Sequence, residues 1–342
     1  LKDSLVAQSR RSPAIAASRR RSLCANSVPM AMERRRLGQG GPEVPVLGYG
    51  AWPLSDQGRP EESVAIGIIH RALDLGVRLF DSADAYCLDS TEAHHNERLL
   101  RQALDSYSGQ ADLSEVVVAT KGGCVRPGGA WEKDLSAGHL VEAIAGSREA
   151  LSGGSKPIQL WQLHSLRGIA EEDLDEILRP VGEAVEAGVV ERVGLSNCTV
   201  GHLERAAAVL PNGALATVQN EYNFWERDPE RNGVLHYCQA HGLAFMPYAA
   251  LGGKHARTGG RRSLRDTRFF PALNSVAKQH EVSPEQVCLA WMLARWPCLV
   301  HIASARSLEH LEDSLGAGGV CLSAQEMTAI AADGPDAVAS AS

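Results

Sequence analysis

VRLFDSAD (residues 77–84) and EVVVATK (residues 115–121), separated by a segment of helical period over 94–105, set the rhythm from which the fold is read. Each run is short, apolar or β-branched, and ends in polar residues, whereas the segment between them repeats its apolar positions every three to four residues. The same alternation continues on both sides. Upstream lies VPVLGYG (44–50) with a helical pattern over 61–75. Downstream come IQLWQLH (158–164), VERVGLSN (190–197), ATVQNEYN (216–223), LAFMPYAA (243–250) and LVHIASA (299–305). Helical patterns over 137–151, 172–187, 200–209, 230–241, 268–295 and 307–316 fill the intervals and follow the last run.

Strands that read as near-continuous apolar runs are buried on both faces, and parallel neighbours need a crossover helix between them. Eight strand–helix units in a chain of 342 residues predict an α/β fold, a (β/α)8 TIM barrel. The leading segment RRRLGQGGPEVPVLG (34–48) carries a Gly-Gly-Pro turn and predicts an N-terminal β-hairpin that plugs the barrel floor. A dinucleotide-binding open sheet would need GxGxxG after an early strand, and the glycines here precede a strand instead.

Charge divides the chain. The whole carries −7, but the first 36 residues hold nine Lys/Arg against two acidic residues, leaving −14 on the remaining 306. Residues 1–33, rich in Ser, Ala and Arg, read as a disordered, transit-peptide-like segment, which points to a plastid (chloroplast) address or, without it, the cytoplasm. Residues 34–332 are expected to form the barrel and 333–342 a short disordered tail. The acidic balance argues against a nucleic-acid partner, and no apolar run reaches the ~18 residues of a spanning helix. The eight cysteines lack CxxC spacing and read as reduced thiols. His94, His95 and Glu97 could suggest zinc, but a solvated helix start explains them and no metal is expected.

A barrel places its chemistry at the C-terminal ends of its strands. In order, those ends offer Trp52, Asp81 with Tyr86, Lys121, His164, Ser196 with Asn197, Gln219, Tyr248, and Ser304-Ala305-Arg306. A phenol with a pKa near ~10 is a poor acid near neutrality, and an ammonium beside it favours the phenolate. Lys121 is therefore expected to lower the Tyr86 pKa toward the working range. Asp81 is expected to keep that lysine charged. His164 would donate to a carbonyl oxygen as negative charge develops there. These roles add up to carbonyl reduction by a hydride from a dissociable cofactor.

The motifs FDSADAY (80–86), VVVATKGG (116–123), LWQLHS (160–165), VGLSNC (193–198), VQNEYN (218–223) and PYAALGG (247–253) occur in this order, and the sequence resembles the aldo-keto reductase family over roughly residues 34–330. The resemblance implies a catalytic tetrad of Asp81, Tyr86, Lys121 and His164, with Tyr86 as proton donor. It implies that Ser196, Asn197 and Gln219 hold a nicotinamide carboxamide and that Tyr248 stacks on its ring. Gly50, Ala51 and Trp52 match the loop lining the cofactor. Leu251 and Gly252 open a Gly-rich basic loop, GGKHARTGGRRSLRDTR (252–268), of the kind that covers the pyrophosphate. Ser304, Ala305 and Arg306 stand where the family binds the adenosine end, with His310 and Ser314 further along, and Arg306 favours NADPH through its 2′-phosphate.

Trp52, Trp131 and Trp225 are expected to wall a substrate pocket for an apolar aldehyde or ketone, the small-molecule partner of a monomer or weak oligomer. Cys87 and Cys124 flank the site, either as packing residues or as thiols activated by Lys121. Two other functions remain open from sequence. One is a cofactor-binding sensor resembling potassium-channel beta subunits. The other is a lyase using Lys121 as a Schiff base.

Overall fold

The computed structural model describes residues 32–253 and 263–333. The transit-like segment up to residue 31, the middle of the basic loop (254–262) and the tail beyond 333 lie outside the described residues.

The chain opens with a hairpin, β1 (Arg34–Arg36) paired antiparallel with β2 (Glu43–Pro45). Eight parallel strands follow: β3 (Leu47–Gly50), β4 (Leu79–Asp81), β5 (Val117–Gly122), β8 (Leu160–Leu163), β9 (Val193–Ser196), β10 (Leu215–Gln219), β11 (Ala244–Phe245) and β12 (His301–Ala303). From β3 to β11 each pairs with the next of these in sequence, and β12 pairs with β3, His301 opposite Leu47. The remaining seam is joined by a parallel bridge between Phe245 and Leu299, where the Phe245 amide donates to Cys298 and its carbonyl accepts from Val300, both at 2.8 Å. These bonds close the sheet on itself. The intervening short pair β6 (Cys124–Val125) and β7 (Glu132–Lys133) forms a second hairpin beyond the end of β5.

Helices cover the outside of the sheet. Among the described residues they are α1 (Glu62–Asp74), α2 (His95–Asp105), α3 (Ala137–Ser152), α4 (Leu174–Glu186), α5 (Val200–Val209), α6 (Asp228–Arg231), α7 (Val234–His241), α8 (Pro271–His280), α9 (Pro284–Arg295), α10 (Leu308–Gly316) and α11 (Ala324–Ala332). Two expected helices are each two pieces. The segment 230–241 breaks at Gly233, whose φ of 86° is left-handed and ends α6 before α7 begins. The segment 268–295 breaks at Glu281 (φ 55°), and Ser283 then caps α9 by accepting from the Gln286 amide, with Pro284 at the first helical position. The run 243–250 keeps only two residues as strand, although it stays alongside the extension of β10, with the Met246 amide donating to the Val218 carbonyl at 2.7 Å and the Tyr248 amide to that of Asn220 at 3.2 Å.

The larger core lies between sheet and helices, with Leu47, Phe80, Trp161, Leu195 and Val218 facing Ile68, Leu100, Leu178 and Trp291. A second apolar cluster fills the barrel floor. There Leu37 and Val44 of the hairpin pack against Leu79, Val117, Leu160, Ala244 and Val300, near the starts of five strands. The hairpin presses close: a Cβ at Gly38 would stand 2.6 Å from the Cα of Ala216. Among the described residues no helix is long and apolar enough to cross a membrane.

Candidate active site

Asp81 ends β4 and Lys121 lies next to last in β5, so the register of two adjacent strands brings a carboxylate beside an ammonium. Lys121 is fully buried. Its Nζ donates to Asp81 Oδ2 at 2.6 Å, to the Ser82 carbonyl at 2.7 Å and to the Tyr86 Oη at 2.9 Å. A buried ammonium is costly unless it is paired and hydrogen-bonded, and this one is both. Burial works against its charge, but Asp81 and Tyr86 together outweigh burial and hold the Lys121 pKa above its ordinary value. Asp81 is fixed from its other oxygen, which accepts from Gln162 Nε2 at 3.1 Å and from Gln219 Nε2 at 2.9 Å.

The phenol of Tyr86 departs from expectation. Burial raises its pKa, Lys121 lowers it, Asp81 raises it again, and the result is pushed up to about 12. The ammonium is present where the sequence placed it, yet the desolvation of the phenolate is the larger effect. Tyr86 is therefore firmly protonated in this environment. Its neighbour thiols follow the same rule: burial pushes Cys87 up to about 11 and Cys124 up to about 12, so both are packing thiols rather than activated ones.

His164 follows β8 directly, and its ring lies 5.6 Å from that of Tyr86, edge-on. Burial and the charge of Lys121 hold its pKa well below the usual imidazole range, so the ring is neutral. Its buried Nδ1 has no hydrogen-bond partner among the described residues. The tryptophans divide. Trp52 stands 6.4 Å from the Tyr86 ring, and Trp131, carried by the β6–β7 hairpin, lies 6.4 Å from Tyr86 and 5.6 Å from His164. Trp225 packs instead edge-on against Phe270 at 6.1 Å.

The remaining strand ends line the other side of the mouth. Ser196 Oγ donates to the Gln219 carbonyl at 2.9 Å. Asn197 takes a left-handed φ of 56°, a conformation asparagine tolerates, and its Oδ1 accepts from Tyr248 Oη at 2.8 Å and from Arg167 Nε at 3.0 Å. Arg167 Nη2 also donates to Tyr248 Oη at 2.8 Å. Gly252 follows Ala249, its amide donating to the Ala249 carbonyl at 2.7 Å, with Leu251 half-buried between them. Where the first and last strands meet, Gly50 packs closely: a Cβ there would stand 2.5 Å from Ser304 Oγ and 3.0 Å from the Ile302 carbonyl oxygen. Next to it Ala51 donates its amide to the Asp81 carbonyl at 2.9 Å, and Ala305 accepts from Tyr49 Oη at 2.6 Å. Arg306 reaches across the seam to the carbonyls of Pro53 (3.2 Å) and Gln57 (2.9 Å). On α10 His310 is exposed, and Ser314 is buried.

Two contributors escaped the sequence reading. Gln162 was visible as a polar residue inside LWQLH, where a buried amide demands a partner. Arg167 carried no signal, since its partners come from the ends of two other strands. His94 pairs with Glu97 Oε2 at 2.6 Å and His95 with Ser55 Oγ at 2.8 Å, and Glu97 is fully buried rather than on the solvated helix start that the sequence suggested. Among the described residues no group of three or more His, Cys, Asp or Glu side chains could hold a metal ion.

The sequence pattern described as "Aldo/keto reductase family" matches residues 46–333. The chain belongs to the aldo/keto reductase family. An uncharacterised oxidoreductase of Schizosaccharomyces pombe is 31% identical over 287 residues, 82% of this chain and 83% of the relative. A 6-dehydroglucose reductase of Novosphingobium aromaticivorans is 30% identical over 306 residues, 89% of this chain and 96% of the relative. Among solved structures, a thermostable aldo-keto reductase crystallised with the inhibitor epalrestat superposes with a TM-score of 0.71 at 27% identity, covering 89% of this chain and all of that one.

Proposed function

We propose that this family member reduces an aldehyde or ketone to the alcohol with NADPH, with Tyr86 as proton donor, Lys121 and Asp81 supporting it, and His164 orienting the carbonyl. The observation that carries the reading is the three-way contact of the Lys121 ammonium with Asp81, the Ser82 carbonyl and the Tyr86 oxygen. A phenol whose pKa lies near 12 is the acid form that reduction consumes. As its proton leaves, the hydrogen bond from Lys121 meets the charge growing on the phenolate oxygen. A neutral imidazole at residue 164 offers one N–H to the substrate oxygen without adding a second full charge beside Lys121. The same raised lysine pKa speaks against a Schiff-base lyase, which needs a free amine.

The strand ends fit a nicotinamide dinucleotide. The side chains of Ser196, Asn197 and Gln219 offer hydrogen-bonding groups for an amide, Tyr248 offers a ring face, and Arg306 at the last strand end suits a phosphate. The glycine at position 50 adds no side chain of its own beside Ser304 where the first and last strand ends meet. NADPH, when bound, supplies the hydride. A relative from Schizosaccharomyces pombe, 27% identical over 86% of this chain, is named an NADP(+) aldo-keto reductase, which supports the same choice here.

A carbonyl panel followed by loss of NADPH absorbance tests the reading. It includes 4-nitrobenzaldehyde, a sugar aldehyde and pyridoxal, the last two because relatives are named 6-dehydroglucose reductase and pyridoxine 4-dehydrogenase. Turnover is expected, and Tyr86→Phe should lower kcat by about a hundredfold to ten-thousandfold while NADPH binding is kept. Silence across the panel, or a Tyr86→Phe variant with the wild-type rate, overturns it.

A further inference from the structure

We infer that Arg126 is the positioning residue that sets carbonyl specificity, by holding Trp131 as a fixed wall against Tyr86 and His164. The inference rests on the reductase reading above and adds to it a substrate class, flat aromatic carbonyls.

Trp131 needs an external support. It is 43% exposed and rides on a hairpin of two-residue strands, and an isolated hairpin of that size is marginal at best. Its ring nonetheless lies near-perpendicular to both Tyr86 and His164, at 6.4 and 5.6 Å between centroids. Arg126 lies behind it, with the guanidinium carbon 4.3 Å from the indole centroid, in cation–π range.

Arg126 is itself immobilised. Only 5% exposed, it donates through Nη1 to the Cys87 carbonyl at 2.9 Å and through Nη2 to Leu88 at 3.3 Å and Gly129 at 3.0 Å, with Nε also on Gly129 at 3.2 Å. Its own carbonyl accepts from the amides of Ser90 at 2.9 Å and Gly129 at 3.1 Å. These bonds all end on main chain, so the face of the guanidinium is left to the indole. They also sew two loops together: the one that begins directly after Tyr86 and the Pro127-Gly128-Gly129 turn that carries Trp131.

The geometry has a consequence for the substrate. The Tyr86 phenol has two indole neighbours, Trp52 tilted at 6.4 Å and Trp131 near-perpendicular at 6.4 Å. A flat ring can lie against such walls, whereas a short aliphatic aldehyde touches little of them. Trp131 thus selects by contact, and Arg126 keeps the contact in place.

The test measures kcat and KM at saturating NADPH for 4-nitrobenzaldehyde and for propanal, with the wild type, Arg126→Met, Arg126→Lys, Trp131→Ala and the Arg126→Met/Trp131→Ala double variant. Arg126→Met should raise KM for 4-nitrobenzaldehyde about tenfold, leaving kcat and both propanal constants within about twofold. Arg126→Lys should behave alike, because lysine keeps the charge but has neither the plane nor the fork. The double variant should be no worse than Trp131→Ala, since the arginine acts through the indole. Equal losses on both aldehydes, an unchanged Arg126→Met enzyme, or a full extra loss in the double variant would overturn the inference while the reductase reading stands. If Arg126→Met does not fold, Arg126→Lys is judged by the same criteria. A wild type that turns over neither aldehyde overturns the reductase reading and this inference with it.

Discussion

The two ends of one sheet have opposite chemistry. At the floor, Leu37 and Val44 seal the strand starts with apolar contacts. At the mouth, the same strands end in a buried ion pair, a protonated phenol and a neutral histidine. The floor stabilises through area removed from water, at about 25 cal/mol per Å². The mouth holds charges in a place where burial disfavours them, and it does so by spending every donor of Lys121 on a named oxygen. The lesson is that stability and reactivity are kept a strand's length apart, so each can be perturbed separately.

Lys121→Met should break this contrast most severely. It strips the proposed proton donor of its support and leaves Asp81 as an uncompensated buried carboxylate, at a cost of about 3–5 kcal/mol in stability as well as most of the activity. Chemical denaturation and NADPH turnover read the two losses together. A folded variant with ordinary rates would contradict the proposed role.

Leu37→Ala is the complementary change. It should cost about 2–5 kcal/mol, seen as an earlier denaturation midpoint, while kcat of the folded enzyme stays as it was. A fall in kcat would mean that floor and mouth are coupled. Arg306→Ala sharpens the mouth alone: KM for NADPH should rise about tenfold or more and KM for NADH stay within about twofold. Parallel changes in both would move the 2′-phosphate contact elsewhere.

The smallest effect expected is that of pH. A donor must be protonated, and raising its pKa extends the protonated form to higher pH. With Tyr86 near 12 and His164 neutral, kcat/KM for reduction should be level from about pH 6 to about pH 10 and decline only beyond. A decline centred near pH 8 would show that Lys121 wins over burial after all.

The sequence was most informative where a residue's environment follows from its neighbours in the chain. The eight apolar runs announced strands buried on both faces, and the polar residues closing them marked the ends that converge, so Asp81, Tyr86, Lys121 and His164 could be named before their distances were known. The helix breaks were also written locally, in Gly233 and in Ser283-Pro284, but a continuing apolar pattern masked them. Other features depend on partners far along the chain. Arg167 meets Asn197, Tyr248 and Glu221, all of them far from it in sequence. The Tyr86 pKa shows the same limit, since the sequence supplies the ammonium but not the depth of burial that outweighs it.

The ring of strands is completed late in the chain. The proposed proton-transfer residues all fall between positions 81 and 164, whereas those assigned to the nucleotide run mostly from 196 to 306, and Arg306 clasps the carbonyls of Pro53 and Gln57 across the junction of last strand and first. A ribosome therefore delivers the reacting side chains well before the strand that shuts the circle. Nucleotide affinity, measured on truncated or permuted chains, would report whether that final strand has docked.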